Sequence, residues 1–166
     1  VSVYSLDSEI FDDGITGSEE GYEEKQKNKS IWPLPGGTYS YIQTLNALLN
    51  KIDKSKNRKD DLITWFIQSF DAVNSTKTTM GYITVPRNMG LIDIKNGIYI
   101  LTEDGKKYLK TQDLNFLFNT ISKNIVAFEE IYQFLAKSKE PKTDQEIFEF
   151  IKENFSVEWT TLVQVS

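Results

Sequence analysis

Four consecutive residues at the start of a predicted helix carry hydroxyl or ammonium groups: Thr76, Lys77, Thr78 and Thr79. Asn74 or Ser75 is expected to cap this helix, because its side-chain oxygen can accept a hydrogen bond from a backbone N–H group that has no partner inside the helix. Unpaired N–H groups and the helix dipole both favour an anion at this end. The run therefore predicts a helix start that contacts phosphate.

The later part of the same helix carries two larger polar side chains, Tyr82 and Arg87, which the helical spacing places on the outer face. The planar guanidinium group of Arg87 can bind guanine or phosphate through two parallel hydrogen bonds. Pro86 lacks the N–H group that a helix interior needs, so the helix is expected to kink there or to end near Val85.

A hairpin is expected directly after this helix, because Asn96-Gly97 favours the type I′ turn that joins two antiparallel strands. Isoleucines recur at every second position on both sides of that turn: Ile92, Ile94, Ile98 and Ile100. Such alternation predicts two short strands. Lys95 and Asn96 then lie at the hairpin tip, where they can reach a phosphate backbone or a minor groove.

The elements that position these groups are predicted to be helical. Apolar residues with helical spacing form a first stripe: Ile42, Leu45, Leu49 and Ile52. A second stripe runs from Leu62 to Phe70, and both indicate helices ahead of the polar one. Thr102 begins a short helix after the hairpin. The predicted fold is therefore mainly α with a small β-hairpin.

The carboxylates that come nearest to a catalytic set are Asp13 and Glu23, with Lys25 two residues further on. This is the order of an Asp…Glu-x-Lys metal site in nucleases, where the Glu normally stands on a buried strand. Tyr22 and Glu24 flank Glu23 in place of apolar strand residues, so we interpret the pattern as coincidence. We expect no catalytic residue, no metal site and no cofactor in this chain.

The composition removes most other enzyme chemistry. The 166 residues include no histidine and no cysteine, which excludes imidazole catalysis, Ser-His and Cys-His triads, disulfides and most zinc sites. No apolar run is long enough to span a bilayer and no signal peptide is visible, so we expect a cytoplasmic protein without a membrane partner. The chain begins at Val1 and ends at Ser166 within an unfinished helix pattern, which indicates a fragment of a longer protein.

The net charge of −5 is unevenly distributed along the chain. Residues 1–30 carry eight acids against three bases, residues 41–110 carry eleven bases against seven acids, and residues 111–166 carry five bases against nine acids. The excess of bases coincides with the polar helix and the hairpin. This is the segment that would need a positive surface to face phosphate, although an excess of four bases also occurs on ordinary solvated surfaces.

The end of the chain repeats part of this plan. Thr143 and Glu146 form a capping-box pattern ahead of an apolar stripe, and a turn near Phe155 leads into a second hydroxyl-rich helix start. That start offers three further candidate DNA contacts: Thr160, Thr161 and Gln164. The predicted organisation is an acidic tail or linker at residues 1–37, a winged-helix domain at 38–111 and an incomplete helix-turn-helix unit at 112–166.

Residues 40–166 resemble the winged-helix repeats in the specificity regions of bacterial restriction endonucleases. The segments that carry the resemblance are Gly81-Tyr82-Ile83, Arg87, Gly90-Leu91-Ile92, the run from Asn96 to Asp104, and Gly105-Lys106-Lys107-Tyr108-Leu109. Residues 159–165 resemble the opening of the recognition helix in a second such repeat. The same pattern also occurs in transcription regulators and in other winged-helix proteins.

The resemblance implies that this chain reads double-stranded DNA, as in restriction-modification systems. It also implies that a nuclease domain elsewhere in the full-length chain, or in a partner subunit, cuts the DNA. The candidate contacts are then the polar helix residues, Tyr82, Arg87, Lys95 and Asn96. The alternatives are a transcription regulator and a winged-helix protein-docking domain, the latter favoured by the net acidity and by Tyr82, Tyr132 and Trp159 as candidate exposed aromatic residues.

Overall fold

A computed structural model describes residues 34–155 of the chain. This part contains seven helices and one two-stranded antiparallel sheet, which confirms the expectation of a mainly helical fold with a small hairpin. The elements are, in order, α1 (Gly37–Lys54), α2 (Lys59–Ser69), α3 (Thr76–Asn88), β1 (Ile92–Lys95), β2 (Ile98–Leu101), α4 (Glu103–Thr111), α5 (Leu114–Asn124), α6 (Phe128–Lys137) and α7 (Asp144–Asn154). No helix in the range 34–155 is both long enough and apolar enough to cross a membrane.

The first helix, α1, supplies one wall of the core. Leu45, Leu48, Leu49 and Ile52 are buried on its inner face, at the spacing that brings residues three and four apart onto one side. Ile42, which the sequence placed in this stripe, is 36% exposed. The buried face begins one turn later than predicted.

Helices α2 and α3 pack against each other and close the core from a second side. Phe66 of α2 is fully buried, and its ring makes an edge contact with Trp65, with 4.9 Å between ring centroids. Ile83 and Val85 of α3 are buried in the same cluster. This packing leaves only part of the surface of α3 available to a ligand.

The hairpin has the turn that the sequence predicted. Asn96 and Gly97 have φ values of 51° and 74°, the left-handed values that a type I′ turn needs at both central residues. Ile92 pairs with Leu101 and Ile94 pairs with Tyr99, so these four side chains share one face of the sheet.

The buried residues of β2 are not its isoleucines. Tyr99 and Leu101 are the buried residues, whereas Ile98 and Ile100 lie on the opposite face and are only partly covered. A two-residue turn places the partners of Ile92 and Ile94 at odd positions of β2, so the isoleucines of the two strands cannot share a face.

A short piece of chain between α1 and α2 adds a third backbone to the edge of the hairpin. Asn57 forms an isolated antiparallel bridge with Tyr99, in which the Tyr99 N–H donates to the carbonyl of Asn57 at 2.9 Å. The backbone order across this edge is therefore residue 57, then β2, then β1.

Helix α4 lies against the hairpin and depends on one glycine. The hydroxyl of Thr102 accepts a hydrogen bond from the Gly105 N–H at 3.0 Å and donates one to the carbonyl of Gly90 at 2.7 Å. A Cβ atom at Gly105 would collide with the carbonyl oxygen of Leu91. Only glycine allows α4 to approach the backbone at this point.

The core continues beyond the predicted domain boundary at residues 111 and 112. Leu117, Ile121 and Ile125 are buried in the same cluster as the residues of α1 to α4, and so is Leu34 ahead of α1. The division into two units stays a prediction. The main core itself extends from residue 34 to residue 125.

Helices α6 and α7 form the least buried part of the described chain. Neither range contains a fully buried residue. The rings of Phe134 and Phe150 stack with 4.3 Å between their centroids and 9° between their planes. The predicted capping box of α7 is confirmed, since Thr143 and Glu146 exchange both hydrogen bonds.

Candidate nucleic-acid interface

The sequence offered Asn74 or Ser75 as the residue that caps α3, and in the structure it is Ser75. Its hydroxyl accepts from the Thr78 N–H at 3.5 Å, and its carbonyl accepts from the Thr79 N–H at 3.0 Å. Thr76 and Lys77 are exposed and Thr78 is partly exposed. These three residues form the accessible part of the helix start.

Thr79 does not belong to this accessible group. Its side chain is 0% exposed, and its hydroxyl donates to the Ser75 carbonyl at 2.9 Å. The sequence included Thr79 among the candidate DNA contacts because it shares a hydroxyl with Thr76 and Thr78. The helical turn carries it instead to the face that packs on the core, so we remove it from the candidate interface.

Tyr82 is also less accessible than predicted. Its ring packs against Phe66, with 5.7 Å between centroids and 37° between planes, and the residue is only partly exposed. The pairing arises because α2 and α3 cross at this point. Tyr82 therefore stabilises the junction of the two helices, and only its outer edge is available to a ligand.

Pro86 lies inside α3, which continues to Asn88 and so does not end near Val85. The carbonyl of Pro86 accepts from the Leu91 N–H at 2.8 Å, and the carbonyl of Arg87 accepts from the Gly90 N–H at 2.9 Å. Gly90 has a φ of 82°, which reverses the chain toward β1. The proline side chain is buried, whereas Arg87, the next residue in the helix, is exposed.

Arg87 connects the end of α3 electrostatically with the hairpin. Burial raises the pKa of the Tyr99 hydroxyl, and the nearby positive charge of Arg87 lowers it in part. The charge of Arg87, which is itself exposed, therefore acts on the hairpin at Tyr99.

The hairpin tip is fully accessible. Lys95, Asn96 and Gly97 are all exposed, and the left-handed turn holds Lys95 at the end of β1. The pKa of Glu103, the first residue of α4, is lowered mainly by its hydrogen bond with Lys106 at 2.7 Å, with a smaller contribution from Lys95. Lys95 has no ion pair within hydrogen-bonding distance in residues 34–155.

The charges on α3 favour an anionic ligand. The helix contains Lys77 and Arg87 and no acid, whereas α2 begins with Asp60 and Asp61. Lys77, Arg87 and Lys95 are all exposed. Three exposed cations on a helix and the adjoining hairpin are a suitable arrangement for contacts to phosphate.

One residue that positions this surface was not identified in the sequence. The Nδ2 group of Asn124, at the end of α5, donates to the carbonyl of Met89 at 3.2 Å and to that of Thr120 at 2.8 Å. It also packs against Gly90, where a Cβ atom would lie 2.6 Å from Nδ2. No sequence signal marks this contact, because it joins positions 35 residues apart.

The remaining candidates cannot be compared with the structure. Thr160, Thr161 and Gln164 lie outside the described residues, as do Trp159 and the carboxylates Asp13 and Glu23 with Lys25. Between residues 34 and 155 no group of three or more acidic, histidine or cysteine side chains is placed to hold a metal ion.

Comparisons with known proteins identify no relative. No protein family, no curated protein and no solved structure matches this chain.

Proposed function

We propose that this chain is a winged-helix module that recognises double-stranded DNA, with α3 as the recognition helix and the β1–β2 hairpin as the wing. The element order α1, α2, α3, β1, β2 supports the winged-helix interpretation. The bridge between Asn57 and Tyr99 supports it further, because it adds a third backbone beside the hairpin after α1. The short helix α4 then closes the unit.

The observation that carries the proposal is the set of exposed cations on α3 and the hairpin. Lys77 lies in the first turn of α3, Arg87 lies in the last, and Lys95 lies at the hairpin tip. At 13 residues α3 is about 20 Å long, and a helix of this kind fits the major groove of B-DNA, which is about 12 Å wide.

The residues divide into two roles in this proposal. Four residues contact the phosphate backbone and supply most of the affinity: Thr76, Lys77, Thr78 and Lys95. These phosphate contacts do not depend on the DNA sequence. Arg87 supplies base preference through its two parallel donors. Asn96, next to Lys95 at the hairpin tip, reaches the adjoining groove, and the outer edge of Tyr82 adds a contact beside the helix.

In this proposal, a separate nuclease domain carries out catalysis. As the recognition module of a restriction endonuclease, the chain would deliver a nuclease domain, located elsewhere in the longer protein or in a partner subunit, to its site. The sequence resemblance supports this assignment. In the proposed endonuclease, the described residues form the surface that faces DNA.

The proposal is tested by the salt dependence of binding. A fluorescently labelled random-sequence duplex is titrated with the 166-residue chain while anisotropy is measured at about 50 and about 200 mM salt. The two cations assigned to phosphate, Lys77 and Lys95, give a slope of about −1.8 in log affinity against log salt, so affinity should fall at least about 12-fold over this range. Absence of binding at the lower salt concentration would contradict the proposal.

A docking module for another protein is the second candidate, and one observation favours it. Tyr132 and Leu135, three residues apart on one side of α6, are 53% and 40% exposed. Large apolar side chains that share a region of surface are typical of protein interfaces. Absence of duplex binding at both salt concentrations would favour this candidate, whose apolar contacts to a partner protein should not weaken as salt rises.

A further inference from the structure

The segment that joins α1 and α2 is the most basic short stretch of the described chain. Four of the six residues from Lys54 to Lys59 are cations and none is an acid: Lys54, Lys56, Arg58 and Lys59. All four side chains are exposed. We refer to these four residues as the basic edge.

The basic edge is held in a fixed position by the residue in its centre. Asn57 is only 1% exposed, and its Nδ2 group donates to the carbonyls of Lys51 and Ser55 at 3.0 and 2.6 Å. The Tyr99 N–H donates to the Asn57 carbonyl. A buried polar side chain with these partners fixes the path of the segment along β2, so the cations on either side of it are presented beside the hairpin.

The side chains of the basic edge form no close ion pair with the acids that adjoin them in sequence. Neither ion pair in residues 34–155 includes them, since these join Lys106 to Glu103 and Lys142 to Glu146. The Asp61 carboxylate accepts from the backbone N–H of Arg58 at 2.8 Å and so caps α2. Asp53 and Asp60 are exposed next to Lys54 and Lys59, so residues 53–61 carry four bases against three acids, a net excess of one positive charge.

We propose that the basic edge is a second phosphate-contacting surface, which binds the DNA backbone beside the position of the hairpin. This inference rests on the proposed function, because it assigns further contacts to the same duplex. The bridge between Asn57 and Tyr99 places the segment on the side of β2 away from β1. The basic edge thereby widens the footprint of the module without reading any base.

The test compares the DNA binding of two triple variants of the 166-residue chain. Binding to the labelled duplex is measured by anisotropy at several salt concentrations. In the first variant, Lys54, Lys56 and Lys59 are replaced by Gln, and Arg58, the N-cap residue of α2, is left unchanged. In the matched control, the exposed Lys123, Lys139 and Lys152 are replaced by Gln. Both variants lose three positive charges, so their net charges are identical.

The basic-edge variant should reduce the magnitude of the salt slope by about 2.7, which corresponds to three lost phosphate contacts. The control variant should keep the slope of the unmodified chain. If the unmodified chain binds and the two variants have equal slopes, this inference is overturned while the proposed function stands. If the unmodified chain does not bind DNA, both are overturned.

A second measurement uses the unmodified chain and does not depend on how the variants fold. Acetylation of lysine side chains is followed by mass spectrometry with and without excess duplex. Lys54, Lys56 and Lys59 should be protected by the duplex to the same degree as Lys95, whereas Lys139 and Lys152 should react equally in both samples. Protection of Lys95 without protection of the basic edge contradicts the inference.

Discussion

Asn124 donates a hydrogen bond to the main-chain carbonyl of Met89 at 3.2 Å and so joins the end of α5 to the end of α3. The two residues are 35 positions apart, and Met89 is buried at the point where the chain turns toward the hairpin. The orientation of the candidate recognition helix therefore depends on a helix outside the predicted winged-helix domain.

Replacing Asn124 with Ala should lower the free energy of unfolding by about 1–2 kcal/mol, because the carbonyl of Met89 loses its side-chain donor in a partly buried site. Urea denaturation followed by circular dichroism measures the change. Asn119→Ala is the matched control, since Asn119 is exposed on the same helix and should change stability by less than about 0.5 kcal/mol. Equal losses in the two variants would contradict the positioning role of Asn124.

Replacing Gly105 with Ala should destabilise the protein by about 1–3 kcal/mol, although alanine is the better helix former. The new Cβ atom would collide with the carbonyl oxygen of Leu91 and separate α4 from the hairpin. Thermal unfolding monitored by circular dichroism tests this expectation. Lys110→Ala, on the exposed side of α4, is the control and should leave the midpoint nearly unchanged. A more stable Gly105→Ala protein would show that α4 has room to shift.

Replacing Arg87 with Ala should weaken binding to a preferred duplex by about 1–3 kcal/mol, because a base contact of this kind is lost. A preferred duplex is first obtained by selection from a random pool. Arg87→Lys keeps the charge without the planar pair of donors, so it should retain binding to random DNA and lose the preference. Lys139 is exposed and lies outside the proposed DNA contacts, so Lys139→Ala controls for the loss of one positive charge. If the Arg87→Lys protein still prefers the selected duplex to random DNA, another residue reads the base.

The carboxyl group of Glu146 should titrate far below its ordinary range. The hydrogen bond from Lys142, followed by those from the backbone and hydroxyl of Thr143, lowers its pKa from 4.5 to about 2. A lowered pKa in the folded state means that the interaction stabilises α7 above about pH 4.5 and is lost as the pH falls toward 2.

Carboxyl-carbon NMR titration measures this pKa directly. Lys142→Gln removes the largest cause and should raise the pKa of Glu146 toward its ordinary value, whereas Lys152→Gln, on the same helix, should leave it unchanged. An unaltered titration of Glu146 in the Lys142→Gln protein would show that the capping hydrogen bonds alone set its acidity.

The features that the sequence predicted correctly depend on neighbouring residues. The Asn96-Gly97 turn, the Ser75 and Thr102 caps and the Thr143–Glu146 capping box each follow from side-chain chemistry within three residues of the feature. Such signals are independent of the rest of the fold, and the structure places each of them where the sequence did.

The errors arise where distant elements decide which side is covered. Thr79 is buried because the core lies under that face of α3, and Tyr82 is partly covered because Phe66 of α2 lies against it. The burial of Tyr99 instead of Ile98 could have been deduced from the two-residue turn, which fixes Tyr99 opposite Ile94. Asn57 acts through its bridge to Tyr99 and Asn124 through its hydrogen bond to Met89, and no local pattern encodes either contact.

The core continues through Leu117, Ile121 and Ile125, and this sets the order in which parts of the chain unfold. Amide hydrogens of α1 to α5 should exchange with solvent together, because these elements share one buried cluster and lose it in one cooperative event. Amides of α6 and α7, whose side chains are at most partly covered, should exchange earlier. A chain shortened at residue 111 would lack part of its own interior, whereas one that ends after Phe128 would retain the whole cooperative unit.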